Sequence, residues 1–282
     1  MQQVNSIIAL RELLATERKA GKKIALVPTM GNLHKGHLSL VTRARQHADY
    51  VVVTIFVNPG QFVAGEDFEH YPRTLDTDLA MLEKLNVDLV FIPETKEIYP
   101  DNEEIKTEVT VSELDSIYCG KFRPGHFKGV ATIVTKLLNI VQPDVAIFGE
   151  KDFQQLLVIR RLTKDLNIPV QIMGAPIVRE EDGLAMSSRN QYLTKEERQL
   201  APKLFECLAN MAAAVKNGNK DFKALEMMAM SELKKNGFRP EYISICDAED
   251  LKSPKNQNLV IIAAAWLGKA RLIDNVAVQT YD

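Results

Sequence analysis

Cysteine is scarce in this sequence: Cys119, Cys207 and Cys246 are odd in number, far apart and outside any CxxC spacing. That argues against a disulfide framework or a zinc knuckle and fits a reducing compartment. An excess of one charge is also missing. Thirty-five basic against thirty-seven acidic residues leave a formal charge of -2, so no global field recruits nucleic acid or an anionic membrane, and any phosphate site must be local. No apolar run reaches the roughly eighteen residues of a membrane span, and Met1 to Leu10 lacks the basic start and long apolar stretch of an export signal. A soluble, cytoplasmic protein with no nucleic-acid or membrane partner is expected. What the chain does have is apolar material: 46% of its 282 residues, enough for one large core or two unequal ones.

The first two thirds alternate short β-rich runs with helix-period runs, the pattern of a parallel sheet with crossover helices. Ile24 to Pro28 reads as the first strand. Tyr50 to Val57 reads as a central one, buried on both faces. Val87 to Ile92, Asp144 to Phe148 and Val170 to Met173, each beside a proline, complete the sheet. Between them, four sets of apolar residues at three- and four-residue spacing predict core-facing helices: Leu10, Leu13 and Leu14; Leu38, Val41 and Ala44; Leu75, Leu79 and Leu82; Val130, Val134 and Leu137. Near Pro176 the rhythm changes. Past the polar segment Arg179 to Asn190, Thr194 and Glu197 form a capping box that opens a helix, another helix lies near Leu225 to Leu233, and strands occupy Tyr242 to Cys246 and Leu259 to Ala264. The expected fold is α/β: a Rossmann-like parallel-sheet domain over residues 1–177 and a smaller α+β C-terminal domain over 178–282.

Four loops carry candidate chemistry. Met30-Gly31-Asn32-Leu33-His34-Lys35-Gly36-His37 connects the Ile24 strand to the Leu38 helix, where open α/β sheets bind ligands. Two histidines three residues apart at a helix start can both face a phosphate, whose charge the helix amides favour. Zinc would need further ligands, and none stands nearby in recognisable spacing. Asn58-Pro59-Gly60-Gln61 ends the Tyr50 strand; its amides suit a hydroxylated acid, and equally a plain turn. Gly149-Glu150-Lys151-Asp152 opens a helix: Gly149 permits close approach, Lys151 can neutralise phosphate, Asp152 can accept from ribose, and Gln155 lies one turn beyond Lys151. Met186-Ser187-Ser188-Arg189 sets paired hydroxyls beside an arginine in a loop that could close over a nucleotide. A further basic loop, Arg123-Pro124-Gly125-His126-Phe127, reads equally as a phosphate contact or a structural turn.

With Tyr71-Pro72-Arg73-Thr74 and Ala264-Ala265-Trp266-Leu267-Gly268, these blocks resemble in order the pantothenate synthetase family, the pantoate:β-alanine ligases of coenzyme A biosynthesis. The resemblance implies a homodimer that uses ATP and magnesium to make pantoyl-adenylate and pyrophosphate from pantoate, then joins the acyl group to β-alanine and releases AMP. It implies that Met30 to His37 line the ATP site, with His37 as proton donor and His34 beside it. Gly149 to Asp152 would bind ATP, Lys151 on phosphate. Val178 would touch the adenine side, and Met186, Ser187, Ser188 and Arg189 would close on the nucleotide. Gln61 and Gln155 would hold pantoate, with Asn58 and Gln61 near β-alanine. Where the family often has two adjacent acids near magnesium, Thr77 precedes Asp78 here, leaving Asp78 as the matching carboxylate. A nucleotidylyltransferase could use the same histidine turn and serine loop, but its acceptor would demand more cations than Gln61 and Gln155 offer. A non-catalytic nucleotide sensor would use the same loops without turning ATP over.

Overall fold

The computed structural model describes residues 1–63, 65–100, 105–255 and 257–279. In chain order its elements are β1 (Gln2–Val4), α1 (Ile7–Lys19), β2 (Ile24–Thr29), α2 (Lys35–His47), β3 (Tyr50–Ile55), α3 (Leu75–Lys84), β4 (Leu89–Phe91), α4 (Thr95–Ile98), α5 (Tyr118–Phe122), α6 (His126–Val141), β5 (Val145–Gly149), α7 (Phe153–Asp165), β6 (Gln171–Ala175), α8 (Lys195–Leu200), α9 (Lys203–Lys216), α10 (Phe222–Lys235), β7 (Arg239–Asp247), β8 (Asn258–Leu267) and β9 (Ala270–Gln279). The chain divides into two compact units: Met1–Glu150 with Val158–Pro176, and Lys151–Leu157 with Ile177–Asp282.

The first unit is built on a six-stranded sheet of order β1-β4-β3-β2-β5-β6, with every recorded pair parallel. All six residues of β3 are buried, as a run apolar on both faces demands. From β2 the chain builds outward through β3 and β4 and then returns to β5 on the other side. The strand order therefore reverses between β2 and β5, and a doubly wound sheet opens a crevice outside the carboxyl ends at such a point. The histidine turn leaves β2 there, and Gly149 ends β5 beside it.

Several details differ from the sequence reading. The Ile24 strand is preceded by β1, a three-residue edge strand whose register with β4 (Gln2↔Leu89, Val4↔Phe91) supplies what its composition lacks. On α3 Leu82 is buried and Leu79 packs against the core as expected, but Leu75 is 39% exposed and the other fully buried position is Asp78. The helix opened by the Thr194–Glu197 capping box ends at Leu200, and α9 starts afresh after Pro202, whose ring cannot continue a helical hydrogen-bond ladder.

The second unit has an antiparallel sheet of order β7-β8-β9. Its core joins Leu204, Leu208 and Met211 of α9 and Leu233 of α10 to Ile243, Ile245, Ile261 and Ala263 of the sheet. Strand β9 is absent from the sequence reading because Asp274 and Asn275 interrupt its apolar run. Both are buried, since Asp274 accepts two hydrogen bonds from the Arg179 guanidinium at 2.7 and 2.9 Å. The buried carboxylate is thus tolerated through a bidentate partner.

Candidate active site

The turn after β2 is shaped by an internal anion. Gly31 (φ 78°) and Asn32 (φ 50°) both take left-handed backbone, which points successive N–H groups inward. Asp78 fills that concavity: its Oδ2 accepts from the Asn32 N–H at 2.9 Å, and its Oδ1 accepts from the Leu33 N–H at 2.8 Å and the Thr74 hydroxyl at 3.2 Å. An ideal Cβ on Gly31 would stand 3.0 Å from Asp78 Oδ2 and 3.1 Å from Ile55, so glycine suits both the backbone and the space. Thr29 finishes the turn, donating to the Thr54 carbonyl at 2.7 Å and accepting from the Gly31 N–H at 3.2 Å.

The two histidines cap α2 reciprocally. His34 is the N-cap residue and accepts the Gly36 N–H on Nδ1 at 3.1 Å; His37 accepts the His34 N–H on its own Nδ1 at 3.4 Å. The rings lie 4.1 Å apart between centroids. A nitrogen that accepts a backbone N–H carries no proton, so each neutral ring holds its proton on Nε2. One tautomer therefore serves both the helix cap and donation to a phosphate.

Beside this turn, Asn58 caps the short 3₁₀ turn Pro59–Gln61. Its side chain is 1% exposed: Oδ1 accepts from the Tyr99 hydroxyl at 2.8 Å and the Gly60 N–H at 3.4 Å, while Nδ2 donates to Gln61 Oε1 and to the Gly129 carbonyl, both at 3.3 Å. Asn58 thus presents its whole amide to the protein rather than to a ligand. With Gln61 Oε1 fixed by Asn58, Gln61 Nε2 points to Met30 Sδ at 2.9 Å. A thioether is a weak acceptor that a ligand oxygen readily replaces.

Asp78 is the one carboxylate that the family likeness offered to magnesium, and it does not fit that role. It is 1% exposed and both of its oxygens hold the turn. Among the described residues no cluster of three or more His, Cys, Asp or Glu side chains could hold a metal ion.

At the end of β5, a Cβ added to Gly149 would meet no described atom within 4 Å, so internal packing does not explain the glycine. Glu150–Asp152 form a 3₁₀ turn ahead of α7, so the one-turn spacing from Lys151 to Gln155 is not that of a continuous α-helix. Within the second unit, the Lys151 carbonyl accepts from Asn275 Nδ2 at 3.0 Å, and Asp152 is exposed. The Ser187 loop springs from a small hairpin in which Met186 N–H donates to the Val178 carbonyl at 3.0 Å and Arg179 bridges to Ala185. Arg179 is held there by Asp274 and by Phe205, whose ring centroid lies 3.7 Å from the guanidinium carbon. Ser187 Oγ accepts the Arg189 N–H at 3.3 Å, opening a 3₁₀ turn over Ser188–Tyr192.

Sequence reasoning missed Tyr99 and Gly129. Burial pushes the Tyr99 phenol up to about 12, which keeps its proton on the bond to Asn58. Gly129 lets α6 approach so closely that a Cβ there would stand 1.8 Å from the Gly60 carbonyl oxygen. A glycine in the middle of an otherwise apolar helix was the available signal.

Comparison with known proteins shows the family of the chain. The family model described as Pantoate-beta-alanine ligase matches residues 2–277. A pantothenate synthetase of Pseudomonas putida is 51% identical over 98% of this chain and 97% of its own length. The pantothenate synthetase of Thermus thermophilus superposes with a TM-score of 0.90 at 43% identity, over 98% of this chain and 99% of that one. A pantoate-beta-alanine ligase from Francisella tularensis, complexed with beta-gamma ATP and beta-alanine, superposes with a TM-score of 0.83 at 36% identity, over 98% of this chain and 97% of that one. The chain belongs to the pantoate–β-alanine ligase family.

Proposed function

We propose that the protein condenses pantoate with β-alanine at the expense of ATP, passing through pantoyl-adenylate and releasing pyrophosphate and AMP. The observation that carries this reading is the reciprocal cap of His34 and His37. Two neutral rings with Nε2–H, at the start of a helix and at the point where the sheet reverses, form a donor pair suited to the charge that shifts onto pyrophosphate as it leaves. A carboxylate is a poor acyl donor because its leaving group would be oxide. Transfer of AMP to the acid supplies a good leaving group, and the amine then attacks the acyl carbon. No nucleophilic side chain is required, so in-line placement and charge stabilisation suffice.

His34 and His37 are assigned to the phosphates, where each neutral ring donates a hydrogen bond from Nε2–H to the departing pyrophosphate and keeps its proton; Met30 to Gly36 line the nucleotide. Gln61 is assigned to pantoate, its amide nitrogen exchanging Met30 Sδ for a substrate oxygen, with Asn58 aligning that amide from behind. The roles of Gly149 to Asp152, Gln155, Val178 and Met186 to Arg189 in holding ATP and pantoate rest on the family likeness, as do a homodimer and a cytoplasmic location. Since Asp78 is spent on the turn, magnesium is assigned to the ATP phosphates and its own waters, a habit of that ion; no step is derived through it.

The test is exchange of labelled pyrophosphate into ATP without any amine. Exchange that depends on pantoate supports the adenylate; its absence in an enzyme that makes pantothenate overturns it.

A further inference from the structure

The Arg123–Phe127 loop has no part in the chemistry so far described, yet its two polar side chains converge on one atom of the acid pocket. Arg123 forms a two-pronged pair with Glu66, Nε to Oε1 at 2.5 Å and Nη2 to Oε2 at 2.7 Å. Its remaining nitrogen, Nη1, lies 2.8 Å from His126 Nε2, and Nη2 reaches toward the Gln61 carbonyl at 3.5 Å. His126 Nδ1 lies 2.6 Å from that same carbonyl oxygen. Arg123 is about as buried as its partner Glu66, with side-chain exposures of 15% and 19%, and His126 is 8% exposed.

The partners fix the protons. A guanidinium can only donate, so His126 Nε2 accepts; a carbonyl can only accept, so His126 Nδ1 carries the hydrogen. The ring is thus neutral, and its tautomer is the opposite of that in His34 and His37. The chain of donors runs one way, from Arg123 through His126 to the Gln61 carbonyl, and Glu66 balances the charge at its head. The backbone prepares the geometry: His126 N–H closes a turn on the Arg123 carbonyl at 3.0 Å, and Gly125 at φ 88° lets α6 begin directly at His126.

We propose that Arg123 and His126 are positioning residues for the acid substrate, which set Gln61 without touching the substrate themselves. Gln61 is held at three points: its carbonyl by His126, its amide oxygen by Asn58 at 3.3 Å, and its amide nitrogen against Met30 at 2.9 Å. The first restrains the backbone from which the side chain springs, and the second and third orient the amide. This extends the assignment of Gln61 to pantoate and rests on it. The ligand class is a small hydroxylated carboxylic acid, and the loss of either latch residue should be felt by that substrate and not by the nucleotide.

The test compares KM and kcat for pantoate, ATP and β-alanine in the full-length enzyme and in Gln61→Ala, Arg123→Lys, His126→Phe and His126→Asn. Lysine keeps the charge but cannot fork across Glu66 and His126. Asparagine places an amide N–H near the position of Nδ1, whereas phenylalanine fills the space with no donor. We expect Arg123→Lys and His126→Phe to raise the pantoate KM about tenfold, the scale of one lost charge-assisted hydrogen bond, with the ATP KM unchanged. His126→Asn should recover most of that loss. A pantoate KM raised by Gln61→Ala but unmoved by Arg123→Lys and His126→Phe would overturn the positioning role. Equal rises for all three substrates, with no recovery in His126→Asn, would make the cluster merely structural and overturn it as well. An unchanged pantoate KM in Gln61→Ala would remove the assignment of Gln61 and the latch with it.

Discussion

Asp78 Oδ2 accepts the Asn32 N–H at 2.9 Å while Oδ1 accepts the Leu33 N–H, so a carboxylate in the first turn of α3 folds the loop that precedes α2. Replacing it with asparagine sets a donor against donors at a position only 1% exposed. Asp78→Asn should cost about 1–3 kcal/mol of stability, the range for an unsatisfied buried group, and should raise the KM for ATP. The magnesium concentration giving half-maximal rate should stay where it is in the wild type. A shift of that concentration by about tenfold or more, with little loss of stability, would instead make Asp78 a metal ligand.

His34 combines a capping role with a proposed phosphate contact, and two substitutions separate them. Asparagine is among the strongest N-cap residues, so His34→Asn should keep the melting temperature while lowering kcat by about a hundredfold, the scale of one lost donor to developing charge. His34→Ala should lose the rate and also about 1 kcal/mol of stability. Thermal melting and pantoate-dependent exchange, run on both variants, check the pair. Equal rates in the wild type and His34→Asn would confine His34 to the cap.

The parallel sheet was legible because its inner strands β2, β3, β4 and β5 are buried on both faces, which leaves unbroken apolar runs such as Tyr50 to Ile55. Strands β1 and β9 were not, because each depends on a distant partner: β1 on the register with β4, and β9 on Arg179, which neutralises Asp274. The site divides the same way. The histidine turn was readable because its glycines, caps and helix start are local in sequence. The work of Asp78 was hidden because the N–H groups that it binds lie 46 and 45 residues away, and the Arg123 loop stayed ambiguous because its target carbonyl is 65 residues from His126. Residue type suggested a ligand in both cases, while packing gave the side chain to the backbone of the pocket.

Gly129 allows α6 to lie against the Pro59–Gln61 turn, where an added methyl would stand 1.8 Å from the Gly60 oxygen. Gly129→Ala must push that turn away, at a cost of about 1–3 kcal/mol for overpacking. Because Asn58 Nδ2 also donates to the Gly129 carbonyl, the displacement should reach Gln61 and raise the pantoate KM more than the ATP KM. Kinetics in the presence of a saturating second substrate would show the asymmetry, and equal effects on both substrates would contradict it.

Burial raises the Tyr99 phenol to about 12, well above its ordinary value of 10.0. The sign follows from linkage. A group that binds its proton more tightly when folded contributes fully below the unfolded value and loses that contribution as pH rises toward the folded one. Between pH ~9 and ~11, the wild type should therefore lose about 1 kcal/mol of unfolding free energy relative to Tyr99→Phe, from the shift between those two values. Tyr50, also raised to about 12, contributes equally to both proteins and cancels. Urea unfolding at the two pH values measures the difference; a gap that stays constant would mean that Tyr99 titrates alike in both states.

The central claim is that the acid's carboxylate attacks the innermost phosphorus of ATP at the turn capped by His34 and His37. Pantoate labelled with heavy oxygen in its carboxylate, turned over once with ATP and β-alanine, tests it directly by mass spectrometry of the products. Adenylation predicts one heavy oxygen transferred to AMP and none to pyrophosphate. Label in inorganic phosphate or pyrophosphate, with AMP unlabelled, would contradict the account.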